Sequence, residues 1–159
     1  MTVGTSARIS TGKCPQVEYV KNFDSRAYAG KWYEQVRDRM NVYTLNADCV
    51  TKEFSLNSAG DVDLYLRAYY GGLLSYKGIS GTMFQCKEGS PTTFTCMATM
   101  GTSTERSPFN ILDTDYKNYD IVYYCKDLAG FMKSESFAVS SREEHMSHET
   151  YQKVKEVVA

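Results

Sequence analysis

Five cysteines, two histidines and an aspartate beside a tight turn carry the most specific side-chain chemistry in this chain. Cys14, Cys49, Cys86, Cys96 and Cys125 form no CxxC pair and no Cys/His group at zinc-ligand spacing. The chemistry they suit is disulfide formation in an oxidising compartment, with one thiol left over from an odd number. His145 and His148 stand at i and i+3 with no third ligand in view, so no metal site is expected. Asp115 sits beside the turn KN; an Asp there ordinarily accepts backbone N–H bonds, and with no recognisable general-base partner it reads as structural. The single tryptophan, Trp32 in AYAGKWYE, gains most from burial and reads as an anchor.

The elements that must position these groups follow from composition and period. A chain of 159 residues fits one domain with a real core. The 18 Lys and Arg against 19 Asp and Glu leave a net charge of -1, which excludes nucleic acid or an anionic membrane as a primary electrostatic partner. No apolar run approaches the roughly 20 residues of a membrane-crossing helix, so no transmembrane segment is expected. An aromatic content of 13% with only three prolines suits pleated, half-buried surfaces. The N-terminal MTVGTSARISTGK lacks an apolar core, so it is not an intact secretory signal; residues 1–13 are expected as a flexible leader and 14–159 as a single domain.

From Gly30 the chain breaks into short runs of period two separated by turn signals. KWYEQVRDR, CVTKEFSL, DVDLYLRAYY, ISGTMFQC, TTFTCMATM, FNILDTDY, YDIVYYC and SESFAVSS read as eight strands, A to H. Gly60 in the turn NSAG supplies a positive φ. Eight consecutive antiparallel strands avoid two exposed edges by closing into an all-β, up-and-down β-barrel. SHETYQKVKEVVA then changes period: Tyr151, Val154, Val157 and Val158 share one face of a C-terminal α-helix, with Ser147 as its N-cap, and that stripe is expected against the barrel wall.

Three segments in order resemble the signatures of the lipocalin family. NFDSRAYAGKWYE is similar to its G-x-W motif, and ILDTDYKNYDIVYYC, with Thr114, Asp115 and Tyr116, to its T-D-Y motif. Arg142 in VSSREE stands where the third signature has its arginine. The TDYKNY and YYC stretches and the GKC leader are similar to the apolipoprotein D, bilin-binding and crustacyanin-like group. The resemblance implies an eight-stranded calyx with Trp32 at its floor and Arg142 stacked over it, a cation–π contact of about 0.5–2 kcal/mol. Gly30 would let the chain pass close to that pair. The resemblance also implies a Cys14–Cys125 disulfide. In this group the counterpart of Cys49 pairs with a cysteine in a C-terminal tail; here the chain ends at Ala159, so Cys49 is expected free. Cys86 and Cys96 flank the D–E hairpin at a separation that suits a cross-strand bridge.

Counting from Trp32 in the family register sends Glu34 and Val36 inward on strand A, Val50, Lys52 and Phe54 on B, and Leu64, Leu66, Ala68 and Tyr70 on C. The opposite wall holds Phe94, Cys96, Ala98 and Met100 on E, Phe109 and Ile111 on F, Val122 and Tyr124 on G, and Ser136, Ala138 and Ser140 on H. This describes an apolar, aromatic pocket with a few polar points, and periodicity does not separate it from a core filled by its own side chains. Small residues at Ala138 and Ser140 favour room inside. Lys52 and Glu34 either pair with each other, or Lys52 meets a ligand carboxylate, or it snorkels to water at the rim. Leu73, Leu74 and Tyr76 near the mouth suit an entrance lip, a weak membrane contact or a homo-oligomer contact, and the sequence does not choose among them. No histidine lies in the strands to ligate a haem iron.

The expected function is extracellular, secreted carriage of one small hydrophobic ligand, with no enzyme chemistry and no required cofactor. The resemblance suggests a bilin, carotenoid, retinoid, sterol or fatty acid. The alternative is a lipocalin-type enzyme, a lipid isomerase or de-epoxidase, using Glu34 or the free Cys49; against it, Cys49 shares the outward face with Thr51 and Glu53. Titration of the denatured, unreduced protein with a thiol reagent is expected to return one free thiol, and three would remove the Cys86–Cys96 bridge.

Overall fold

The structure, a computed structural model, describes residues 8–37, 46–84 and 96–159. Alternating apolar residues form the strands β1 (Arg8–Thr11), β2 (Gly30–Arg37), β3 (Cys49–Leu56), β4 (Val62–Tyr70), β5 (Ser75–Phe84), β6 (Cys96–Met100), β7 (Ser107–Phe109), β8 (Ile111–Thr114), β9 (Tyr119–Leu128) and β10 (Met132–Ser141). One helical turn, α1 (Ser25–Tyr28), precedes β2, and α2 (His148–Val158) closes the chain. The strands pair antiparallel in the order β7-β6-β5-β4-β3-β2-β10-β9-β8, with β1 added along β10. The result is a nearly closed, all-β barrel with a C-terminal helix.

Ten strands stand among the described residues where eight were expected. The segment FNILDTDY does not form one strand. It divides at the buried Asn110, so that β7 pairs with β6 while β8 pairs with β9, and its two halves bind the two ends of the sheet. The leader also differs from expectation, since residues 8–11 form β1. Among the described residues β2 covers only Ala138–Ser141 of β10, and the upper part of β10 satisfies its backbone groups with β1 instead, Arg8 opposite Glu135 and Thr11 opposite Met132. Gly12 N–H donates to the Phe131 carbonyl at 2.7 Å, and the Cys14–Cys125 disulfide holds the segment at the wall.

The strands present two faces. Trp32, Phe54, Val62, Leu64, Met83, Cys96 and Ile111 are buried together inside the lower barrel. A separate cluster of Tyr119, Ile121, Val139 and Val154 lies on the outer face, beneath α2. Ser147 caps α2, its hydroxyl accepting from Thr150 N–H at 3.2 Å. The helix is seated more shallowly than its apolar stripe suggests: Val154 is buried, but Tyr151, Val157 and Val158 remain exposed. Lys153 lies over the Tyr119 ring, so part of that contact is a cation–π stack.

The lower end of the barrel is shut by Arg142, Trp32 and the turn around Asp115. The Arg142 guanidinium lies 3.8 Å from the centre of the Trp32 ring. Its N–H groups donate to the carbonyls of Ala27 (3.0 Å), Tyr28 (3.2 Å), Lys31 (3.2 Å) and Tyr116 (3.1 Å). One planar fork therefore ties three separate segments. Gly30 has φ +104, and a Cβ there would stand 3.0 Å from Arg142 Nη1, so a side chain would face both strain and crowding. Asp115 accepts N–H bonds from Lys117 (3.1 Å), Asn118 (2.7 Å) and Tyr119 (3.2 Å). Burial alone would raise its carboxyl pKa, yet these bonds and the Asn118 side chain outweigh burial and hold it below the ordinary value. Arg142→Lys keeps one charge but cannot reach four carbonyls while lying flat on an indole, and a loss of about 2–3 kcal/mol is expected in denaturant unfolding.

Candidate functional site

The interior of the barrel is the site that the register builds. Val50, Lys52 and Phe54 on β3 pair with Ala68, Leu66 and Leu64 on β4, and all six are buried on the inner face. Asp120, Val122 and Tyr124 on β9 stand opposite Ser140, Ala138 and Ser136 on β10. Exposure along that wall is graded. Asp120, Ser140 and Ile111 near the floor are fully buried, whereas Val122, Tyr124, Ser136 and Ala138 above them are only partly buried although they face inward. The β9–β10 wall is therefore sealed at the floor and partly open above it, while Val50 and Ala68 at the upper end of the β3–β4 wall are buried among Ala47, Tyr70, Ile79 and Met100. Two surface hollows, of about 390 and 460 Å³, lie elsewhere, one at residues 22–26 and one on the wall of β3 to β6 lined mainly by outward residues such as Glu53, Asp63 and Tyr65.

One layer above Trp32 the wall is charged. Glu34 Oε1 lies 3.2 Å from Arg37 Nη1, and Glu34 Oε2 lies 3.8 Å from Lys52 Nζ. Lys52 Nζ is in turn 3.9 Å from Asp120 Oδ2. The Glu34, Lys52 and Asp120 side chains are only 4%, 5% and 0% exposed. Asp120 also accepts the hydroxyl of Tyr28 and, at 2.9 Å, the Ser140 N–H. Burial pushes the Tyr28 hydroxyl well above its ordinary pKa, and the neighbouring Asp120 charge and hydrogen bond push it further, so it stays a donor. Two cations and two carboxylates thus balance inside the barrel, as buried charges must.

Of the residues expected to face a ligand, Glu34, Lys52, Phe54, Leu64, Leu66, Ala68 and Ile111 lie buried on the inner face. Tyr70, Met100 and Phe109 are partly buried and pack against the inner clusters. Tyr124 and Ala138 line the accessible upper wall. Phe94 and Cys86 lie outside the described residues, as does most of the loop between β2 and β3. Cys96 is disulfide-bonded, and Cys49 is a free, exposed thiol on the outward face.

Val36 requires correction. Glu34 pairs with Ser140 but Val36 pairs with Val139, so Gln35 is an extra residue in β2, a β-bulge that reverses the facing of everything after it. Val36 consequently packs in the outer cluster beneath α2, and Arg37 takes the inward position opposite Ala138. The bulge is held by its own side chain: Gln35 Nε2 donates to the carbonyls of Glu143 (3.3 Å) and Glu144 (3.1 Å), while its Oε1 accepts from Met146 N–H at 3.3 Å. Arg37, Asp120 and Tyr28 are members of this buried polar layer that strand counting does not name. Asp120 was within reach of it, being two residues before Val122 on the same face; nothing in the local sequence marks the bulge that brings in Arg37.

At the open end, the turn between β4 and β5 exposes Leu73 (64%) and Leu74 (81%). Asp48 ties that turn to the neighbouring rim, accepting from Gly71 N–H at 2.8 Å. Among the described residues no group of three His, Cys, Asp or Glu could hold a metal ion, and no helix is long and apolar enough to cross a membrane.

Residues 29–159 match the model of the Lipocalin / cytosolic fatty-acid binding protein family. The chain is similar to apolipoprotein D of Bos taurus, 28% identical over 155 residues that make up 92% of this chain and 75% of the relative. It is 32% identical to the bilin-binding protein of Pieris brassicae over 120 residues, 72% of this chain and 59% of that protein. In fold it is similar to insecticyanin from the tobacco hornworm Manduca sexta, with a TM-score of 0.75 at 22% identity over 94% of this chain and 79% of the other. Lobster apocrustacyanin A1 superposes with a TM-score of 0.71 at 22% identity, over 94% and 82% of the two chains.

The ionic layer makes a quantitative expectation. Lys52→Met leaves Glu34 and Asp120 with a single cation and should destabilise the protein by about 3–5 kcal/mol in urea unfolding. Combining it with Asp120→Asn removes the orphaned carboxylate, and the double variant should be more stable than the sum of the two single changes predicts.

Proposed function

Because the chain belongs to the lipocalin / cytosolic fatty-acid binding protein family, we propose that it binds one small, largely apolar molecule inside the calyx and carries it without changing it. The observation that supports this reading is the graded exposure of the β9–β10 inner wall, with partly exposed Val122, Tyr124 and Ala138 above a floor sealed by Trp32 and Arg142. Side chains that face inward yet retain solvent exposure leave space that a ligand of matching shape can fill. A bilin, carotenoid, retinoid, sterol or fatty acid has the required character. Burying about 300 Å² of apolar ligand at ~25 cal/mol per Å² contributes roughly 7 kcal/mol before ordering costs, which places affinity near the micromolar range.

The Cys14–Cys125 disulfide supports an extracellular site of action, since such bonds persist in oxidising compartments. The enzyme alternative draws little from the geometry. Glu34 is engaged with Arg37 and Lys52, and Cys49 points away from the interior, opposite Tyr69 on the outer wall. The segment 14–159 acts in this reading as one binding domain. Native mass spectrometry of the protein with a panel of these ligand classes is expected to show 1:1 complexes that survive mild activation. Failure of every class with a folded monomer would contradict the carrier reading.

A further inference from the structure

Ser140 stands on the inner face of β10 between Glu34 on β2 and Asp120 on β9, with no solvent exposure. Its Oγ is a buried polar atom with no hydrogen-bond partner among the described residues. Burying a hydroxyl unsatisfied is costly, and such a group on the wall of a binding cavity is explained when an incoming polar atom completes it. Lys52 Nζ is beside the same layer, 3.8 and 3.9 Å from its two carboxylates, too far to donate a hydrogen bond directly to either. Two donors therefore stand in this layer, and the four groups in ion-pair contact there sum to zero, Arg37 and Lys52 against Glu34 and Asp120, while Arg142, stacked on Trp32, adds a more distant charge that also acts on Asp120.

Resting on the carrier reading above, we infer that Ser140 and Lys52 form a polar subsite for the inner tip of the ligand, and that this tip is an uncharged hydrogen-bonding group: a hydroxyl, ketone or lactam. A carboxylate at that depth would leave the layer with a net charge of -1 in a desolvated space. A hydrocarbon tip would leave the Ser140 hydroxyl unpaired. A neutral oxygen accepts from Lys52 and Ser140 without disturbing the balance, so the subsite selects the head group while the upper wall accepts varied apolar bodies.

The test uses the neutral fluorophore N-phenyl-1-naphthylamine, displaced at pH 7.5 by 1-dodecanol or by dodecanoate, which share one hydrocarbon chain. The alcohol should displace it at concentrations about tenfold or more lower than the acid, because only the carboxylate unbalances the buried charges. Ser140→Ala removes a hydroxyl that makes no bond in the free protein, so it should fold normally and bind 1-dodecanol about threefold to tenfold more weakly, the size of one net hydrogen bond. Glu34→Gln leaves Arg37 and Lys52 against Asp120 alone, a net charge of +1, and should turn the preference toward dodecanoate. A fluorophore that binds but yields to the acid as readily as to the alcohol in the wild-type protein, or a Ser140→Ala variant with the wild-type affinity for 1-dodecanol, overturns the subsite while leaving the carrier reading intact. A folded protein that takes up neither the fluorophore nor either lipid overturns the carrier reading itself.

Discussion

A lysine amine buried among apolar strands must be neutralised where it lies, and Lys52 imposes that condition on the whole lower barrel. Its two carboxylate neighbours come from β2 and β9, on opposite sides of β10, so the charges balance only if those strands hold their register. Glu34 in turn holds Arg37, and Asp120 holds Tyr28 and the Ser140 amide. Removing any one member leaves an uncompensated charge in a place that water barely reaches, which is far more costly than the pairing is favourable. The layer thus specifies an arrangement more than it adds stability.

Two other devices frame that layer. Beneath it, the Arg142 guanidinium seals the barrel against Trp32 while satisfying carbonyls on α1, β2 and the turn before β9. Beside it, the Gln35 bulge lets one strand serve two environments. Before the bulge, Trp32 and Glu34 face the interior; after it, Val36 fills the outer cluster beneath α2 while Arg37 turns inward. The Gln35 side chain meets the segment leading into α2, so the bulge that turns Arg37 inward is hydrogen-bonded to the approach to that helix.

Much of this architecture was legible in the residues. Period-two alternation on β3 and β4 placed Val50, Lys52, Phe54, Leu64, Leu66 and Ala68 inside, because a strand without bulges has no freedom to do otherwise. The failures have physical causes of the opposite kind. Val36 was misplaced because an inserted residue reverses the facing and leaves no compositional trace. FNILDTDY looked continuous because partner exchange at Asn110 is a tertiary event. The α2 stripe has the right period, but period reports which face packs and not how deeply, and only Val154 reaches the wall. The leader's Ser and Thr content did not announce a strand because β1 exists to complete β10, not to bury side chains of its own.

An apolar molecule bound inside the barrel above the charged layer would touch inward side chains and no outward ones. Methyl-resolved NMR of the protein saturated with N-phenyl-1-naphthylamine tests this directly, since inner and outer methyl groups alternate along the same strands. The account predicts intermolecular NOEs from the naphthyl ring to the methyls of Val50, Ala68, Val122 and Ala138, and none to Ile121 or Val139 on the opposite face. NOEs confined to Leu73 and Leu74 at the rim, or to the outer wall, would contradict it.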